Sequence, residues 1–386
     1  MTKDDRVFAL GHAFTPSAPV ASRDHFAGRA QQVLDVVQAL GQPGTHIVLF
    51  GERGVGKTSL ANVLESFLSP LMANATVHRL NCTTSDTYVT LWRKAFRELG
   101  MTEPESWKYS SPDPDDIRVG LAGLPPGTVV ILDEYDRIED DDGLSLMADT
   151  LKALSDHAVG VKIIIVGVAE SLDELVGEHE SVQRALVEVP MPRMDASEIQ
   201  EIVGTGLAKA EMTMDPDARA VVAKLAEGLP AFVHLLMLSA ARVAAYDDRS
   251  MVTSDDVAVA ITDVSSTHHL VRDYELAIQS SRRESLYAQV LTACALAEKN
   301  SLGYFAPLAV REPMSRIMEK EYAIPQFQNH LIAFTEDSRG RVLVRQGRPR
   351  NYTYRFRNPL LQPFLILAGL SRGVIPESYR ADILGT

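Results

Sequence analysis

Over the first half of the chain, short apolar runs alternate with stretches whose apolar residues recur every three or four positions. The runs lie at residues 46–50 (HIVLF), 75–80, 128–132, 162–166 and 187–189. They are short and rich in β-branched residues, which predicts buried strands. Helical patterns lie between them at 57–68, 88–99, 143–155 and 171–179. A strand followed by a helix, repeated, is what a parallel sheet with helices on both faces requires. This alternation occupies residues 26–192.

From about residue 196 to residue 264 the pattern is wholly helical. Asp215-Pro216 opens one helix and Gly228 ends it; Pro230 opens the next, and Thr253-Ser254-Asp255 caps a third. A polar stretch at 266–283 reads as a linker. Beyond it come a helix at 284–298, a helical region at 313–334, two strands at 341–344 and 352–356, and a last helix from Pro359. Helices followed by a hairpin predict a winged helix. Residues 1–25, with the turn-rich FTPSAPVAS, read as an extended segment lying across the domain that follows. The expected division is therefore 1–25, 26–192, an all-α lid at 193–265, a linker at 266–283 and a winged-helix-like domain at 284–386.

At 386 residues the chain exceeds one compact core, and 46% hydrophobic with 23% charged residues is a globular composition. The longest apolar candidate for a membrane span, residues 360–370, is short and interrupted by Gln362 and Pro363, so no membrane partner is expected. The start, MTKDDRVFALGHAF, has no long apolar signal region, and the expected compartment is the cytoplasm. Cys82 and Cys294 have no motif spacing, which argues against a disulfide framework and a cysteine zinc site. A net charge of −13 argues against a surface coated for nucleic acid. The charge is uneven, however. Residues 133–142 hold seven acids and one arginine, whereas residues 339–357 hold seven arginines and no acid.

The strongest chemical signal follows the first strand. Gly51-Glu52-Arg53-Gly54-Val55-Gly56-Lys57-Thr58-Ser59 contains the full phosphate-binding loop pattern between a strand and a helix. Glycines let the backbone N–H groups turn toward an anion, and the helix adds the positive end of its dipole. Lys57 can reach the β/γ-phosphates and the Thr58 hydroxyl can hold Mg²⁺. Alone, this loop also fits a kinase or a GTPase. Asp133-Glu134, at the carboxyl end of the strand at 128–132, narrows the choice. Asp133 can hold Mg²⁺ through water while Glu134 polarises the attacking water, an arrangement for hydrolysis rather than transfer to a small acceptor. The acids beyond them read as a solvated loop and helix cap, with Asp136 near enough in sequence to test as a further ligand.

Phe26-Ala27-Gly28-Arg29 before the loop, the Asp133-Glu134 pair and the helical lid together resemble an AAA+ ATPase. Within that group the resemblance is to the origin-recognition and initiator branch, over nearly the whole chain, with ATP and Mg²⁺ as the implied cofactors. It implies a P-loop α/β domain of the AAA+ type, a helical lid and a C-terminal winged helix. By position, Phe26 and Arg29 would line the adenine pocket, although a Gly-Arg before a helix is also an ordinary turn. Pro230, in Gly228-Leu229-Pro230, matches the lid proline that touches adenine in the related STAND signalling ATPases. Arg184 stands where AAA+ proteins place the arginine finger offered to a neighbouring subunit, which implies a homo-oligomer or another AAA+ neighbour. Its alternative is an arginine on a solvated helix end.

Two departures weaken the case for a vigorous motor. Ala231 stands where the lid usually offers a sensor arginine; His234, one turn on, is either a γ-phosphate contact or a packed core residue. At 167–171 no residue obviously orients the water, with Glu170 or Ser171 as weak substitutes. Arg345, Arg348 and Arg350, around a Gly347/Pro349 turn, suit a wing that touches the phosphates of double-stranded DNA. A basic protein-docking surface is the competing reading. Two functions stay open: an ATP-hydrolysing assembly switch that engages DNA and turns over slowly alone, or a STAND-like signalling or defence switch with a protein partner.

Overall fold

Valine, isoleucine and leucine fill the middle strands of the sheet, so these strands need cover on both faces and receive it. In this computed structural model, which describes residues 1–71, 75–169, 175, 180–280, 285–300, 302–348 and 351–384, five strands form one parallel sheet. They are β1 (His46–Phe50), β2 (Thr76–Asn81), β3 (Thr128–Asp133), β4 (Lys162–Gly167) and β5 (Leu186–Pro190), in the order β2-β3-β4-β1-β5. β1, β3 and β4 are buried along their whole length. Leu132 pairs with Ile165, and Ile165 with Val48, so the carboxyl ends of these three strands are nearly level. Ligands of open α/β sheets bind outside that edge.

Two compact units are resolved: Pro19–Glu52 with Gly56–Pro192, and Met1–Ala18 with Arg53–Val55 and Arg193–Thr386. In the first, the helices Lys57–Leu68, Tyr88–Glu98 and Asp141–Asp156 lie close to the predicted patterns. The helix expected at 171–179 lies outside the described residues, apart from helical Leu175. Trp92, Phe96 and Trp107 anchor the core on one side, with the Phe96 and Trp107 rings 4.6 Å apart. The acids after β3 are used structurally. Asp140 caps the helix Asp141–Asp156 by accepting from the Gly143 N–H, and also takes the Tyr88 N–H.

Among the described residues the second unit is mostly helical, with short strand pairings. The helices Ala196–Lys209, Pro216–Leu225, Pro230–Tyr246 and Ser254–Thr267 follow the predicted caps, and β6 (Thr213–Met214) pairs in parallel with β7 (Met251–Val252). Three expectations are corrected. The extended N-terminal segment contains a helix, Lys3–Ala13, closed by a capping box between Thr2 and Asp5. Its buried residues are only Leu10 and Ala13, too few to show as a period. The predicted linker contains the helix Leu270–Ile278, which buries Leu270, Tyr274 and Ala277 at helical spacing between charged neighbours. The helical region at 313–334 is two helices, Pro307–Ile317 and Ile324–Ala333.

After these, β8 (Leu343–Arg348) and β9 (Asn351–Phe356) form an antiparallel hairpin, and Phe305 bridges to Tyr354. The helix Leu361–Ser371 is buried at every position from Leu361 to Leu370, as its all-round apolar sequence requires. Among the described residues no helix is long and apolar enough to cross a membrane.

Gly206 marks the closest approach in this unit. A Cβ there would lie 2.3 Å from the Phe14 ring, so only glycine lets the N-terminal segment seat Phe14, which is wholly buried.

His46 opens β1 and is 1% exposed; its Nδ1 accepts the Ile163 N–H at 3.1 Å. Burial, with the Lys162 ammonium adding to it, lowers its pKa from 6.5 to about 3. The folded protein therefore keeps this imidazole neutral, while the unfolded chain takes up a proton below its ordinary pKa. Stability present above about pH 6.5 is lost as pH falls toward 3, by roughly 1.4 kcal/mol per pH unit. His46→Asn, whose amide oxygen can take the same N–H, is expected to flatten that slope when urea unfolding is measured between pH 7 and pH 4.5.

Candidate nucleotide site

The loop after β1 takes conformations that side chains resist. Gly51, Gly54 and Gly56 have φ of 151°, 89° and 100°. A Cβ on Gly51 would fall 2.4 Å from the Met191 carbonyl oxygen, so this glycine is fixed by close approach as well. Lys57 is 8% exposed, and its ammonium donates to the carbonyl oxygens of Gly51 and Glu52, each at 2.8 Å. The loop thus folds back on its own lysine, positioning one positive charge where the loop glycines turn. Thr58 and Ser59 follow on the first turn of Lys57–Leu68, and the Ser59 hydroxyl accepts the Val20 N–H.

The acidic pair divides into two environments. Asp133, at the end of β3, is 2% exposed. Its Oδ1 accepts the Glu134 N–H at 2.8 Å, and its Oδ2 accepts from Arg79 Nε at 3.1 Å, with Arg79 Nη2 in ion-pair contact at 2.8 Å. Glu134 sits in the left-handed region at φ 58°, rare for a residue with a side chain. It ion-pairs with Arg137 at 2.8 Å, with both side chains about half exposed. Such an exposed pair is worth little, so the Glu134 carboxylate can leave it cheaply. Loop, Lys57, Thr58 and Asp133 fit a magnesium nucleotide: a glycine turn for phosphates, one buried ammonium, and oxygen ligands of the kind Mg²⁺ prefers.

The remaining predicted residues fall in several places. Arg29 is 1% exposed and donates to the Pro192 carbonyl at 2.6 Å, and Phe26 packs edge-to-face on Phe67. Asp136 is turned to β4 rather than to a metal: its Oδ1 accepts the Val168 N–H at 2.8 Å, closing the exit of that strand. Glu170 and Ser171 lie outside the described residues. Arg184, directly after Glu180–Gln183, is exposed and paired with Asp156 at 2.6 Å.

In the second unit, Pro230 occupies the first turn of its helix and is buried. His234 is a core residue there. Its Nδ1 accepts the Thr15 N–H at 3.2 Å and its ring meets Phe14 edge-to-face, as in the packed-core alternative.

Arg345 and Arg348 are exposed on β8, Arg348 as its last residue opposite Asn351 where the hairpin connects, with the Arg345 guanidinium over the Tyr352 ring at 4.4 Å. Arg350 lies outside the described residues. Part of the basic run is spent internally: Arg339 donates to the carbonyls of Ala277 and Gln279, and Arg341 pairs with Asp337.

Sequence reasoning missed Arg79, Asn62 and Arg137. The one signal for Arg79 is a positive charge inside the strand predicted at 75–80.

Residues 41–176 match the family model described as an AAA domain. That stretch has the fold of an AAA+ P-loop domain. The strand order and the glycine turn at β1 belong to that P-loop fold, and within the AAA+ proteins the resemblance is to the origin-recognition and initiator branch. The chain is 26% identical over 195 residues to an ORC1-type DNA replication protein of Thermoplasma volcanium, covering 48% of each. It is 25% identical over 196 residues to ORC1-type DNA replication protein 2 of Thermoplasma acidophilum, again 48% of each. The chain therefore spans about half the length of the curated relatives it matches. By structure it is similar to the Aeropyrum pernix ORC2 protein, with a TM-score of 0.53 at 15% identity over 96% of this chain and 98% of that one. A Walker-type ATPase of Pyrococcus abyssi gives 0.52 at 16% identity, over 92% and 99%. At these identities the structures establish the fold.

Gly51→Ala places a methyl group on the Met191 carbonyl and unseats the loop of the AAA+ domain. Binding of a fluorescent ATP analogue, followed by anisotropy, is expected to weaken at least tenfold, more than a surface Gly→Ala change would cause.

Proposed function

We propose that this protein binds and hydrolyses ATP and uses the nucleotide state to switch an assembly, probing DNA with its C-terminal hairpin. The observation that carries this is the pairing of a lysine-centred phosphate loop after β1 with a buried aspartate and a half-exposed glutamate after β3, the two strands ending nearly level on either side of β4. Lys57 would hold the β/γ-phosphates. Thr58 and Asp133 would hold Mg²⁺, which supplies charge neutralisation at the phosphates. Glu134, once released from Arg137, would polarise the attacking water. The exposed Arg184 supports a finger offered to a neighbouring subunit of the same kind. Exposed Arg345 and Arg348 support backbone contacts to duplex DNA, and the resemblance to ORC1-type proteins favours the same partner. We take the working division to be 1–25, 26–192, 193–265, 266–283 and 284–386, in a cytoplasmic protein.

One observation favours the second reading, a slow STAND-like signalling or defence switch with a protein partner. Ala231 stands where the lid arginine is expected, and His234 Nδ1 accepts the Thr15 N–H.

Two measurements test the proposal. Glu134→Gln should keep ATP binding within a few-fold of the parent and reduce steady-state phosphate release at least a hundredfold; an active variant would falsify the base assignment. The Arg345→Ala/Arg348→Ala pair should weaken duplex binding and lower the slope of log K against log salt by about 1 to 2. An unchanged slope moves the hairpin to a protein partner.

A further inference from the structure

The Arg79 guanidinium has three side-chain acceptors, contributed by β2, β3 and the helix behind the phosphate loop. Nε and Nη2 address Asp133 Oδ2; Nη2 also donates to Asn81 Oδ1 at 3.0 Å, and Nη1 to Asn62 Oδ1. Asn62 lies five residues beyond Lys57, and its own amide donates to the Val20 carbonyl at 3.2 Å. The arginine is therefore held in place from several sides, next to an aspartate that is 2% exposed. A buried carboxylate left unpaired is strongly destabilising, and a charge-assisted hydrogen bond with an ion-pair contact from one guanidinium answers it. An ordinary edge strand has no need of such an arrangement.

We propose that Arg79 is the resident counter-cation of the metal aspartate, setting how strongly nucleotide binding depends on Mg²⁺. This rests on the reading of Asp133 as a magnesium ligand. A fixed positive charge beside Asp133 repels the divalent cation and also attracts the phosphates. Both effects act in one direction: they make metal-free ATP bind better, and the metal add less, than Asp133 alone would allow. Arg79 is a positioning residue, since it acts through Asp133.

The test is the ratio of ATP dissociation constants in EDTA and in Mg²⁺, measured on the full chain by calorimetry, with Tm recorded alongside. Arg79→Gln is expected to raise this ratio at least tenfold over the parent. Arg79→Lys, which keeps the charge, should restore most of the parental ratio. Mg²⁺ without nucleotide should raise the Tm of Arg79→Gln more than that of the parent, and Asp133→Asn in the same background should abolish the difference. If Arg79→Gln lowers Tm with the ratio unchanged, the pair is merely structural and the proposal is overturned. If Arg79→Gln does not fold, the Asn62→Ala/Asn81→Ala pair removes both amide holders of the guanidinium while keeping its charge and that of Asp133, and the ratio should rise several-fold; no rise overturns the proposal. A parent chain that binds no ATP in either condition would instead defeat the nucleotide-site reading itself.

Discussion

A carboxylate buried at the end of a strand must be given a positive charge. Asp133 is in that position because β3 is apolar up to its last residue and buried throughout, so the sheet carries the acid to its carboxyl edge with little water around it. Much of the surrounding architecture answers this demand. The edge strand β2 contributes Arg79, the helix after the phosphate loop contributes Asn62, and the backbone at Val20 steadies that amide. The nucleotide site is thus organised around a charge that existed before any ligand arrived.

Asp133 and Glu134 are neighbours in sequence but not in environment. The first is locked by two arginine nitrogens and a backbone N–H. The second stands in a left-handed turn, half in water, in a single exposed ion pair. Rigid placement would suit Asp133 as the proposed metal ligand, and loose tethering would suit Glu134 as the proposed base. Adjacent acids can divide labour in this way because the chain turns sharply between them.

The legible parts of this chain were those whose physics is local. The loop from Gly51 to Ser59 declares itself by residue type and spacing, and β1, β3 and β4 by continuous aliphatic runs. Capped helices such as Pro216–Leu225 and Ser254–Thr267 were equally plain. What escaped depends on contacts distant in sequence. Arg79 meets Asp133 only because β2 and β3 pair in one register. His234 turned out to be a core residue because Thr15, more than two hundred positions away, presents its N–H there. The helix Leu270–Ile278 hid behind its charged outer face, and the arginine run concealed that Arg339 and Arg341 have internal duties.

Phe14 against Gly206 has a consequence for how this molecule can be divided. The second unit takes its first residues from the beginning of the chain and most of the others from beyond Arg193, so it is not a contiguous module. A fragment begun at residue 193 would lack the ring that covers Gly206 and the N–H that engages His234, leaving an apolar hollow in its helical core. Genetic fusion or exchange of this unit has to carry both ends of the chain together, which ties its inheritance to that of the nucleotide-binding segment threaded between them.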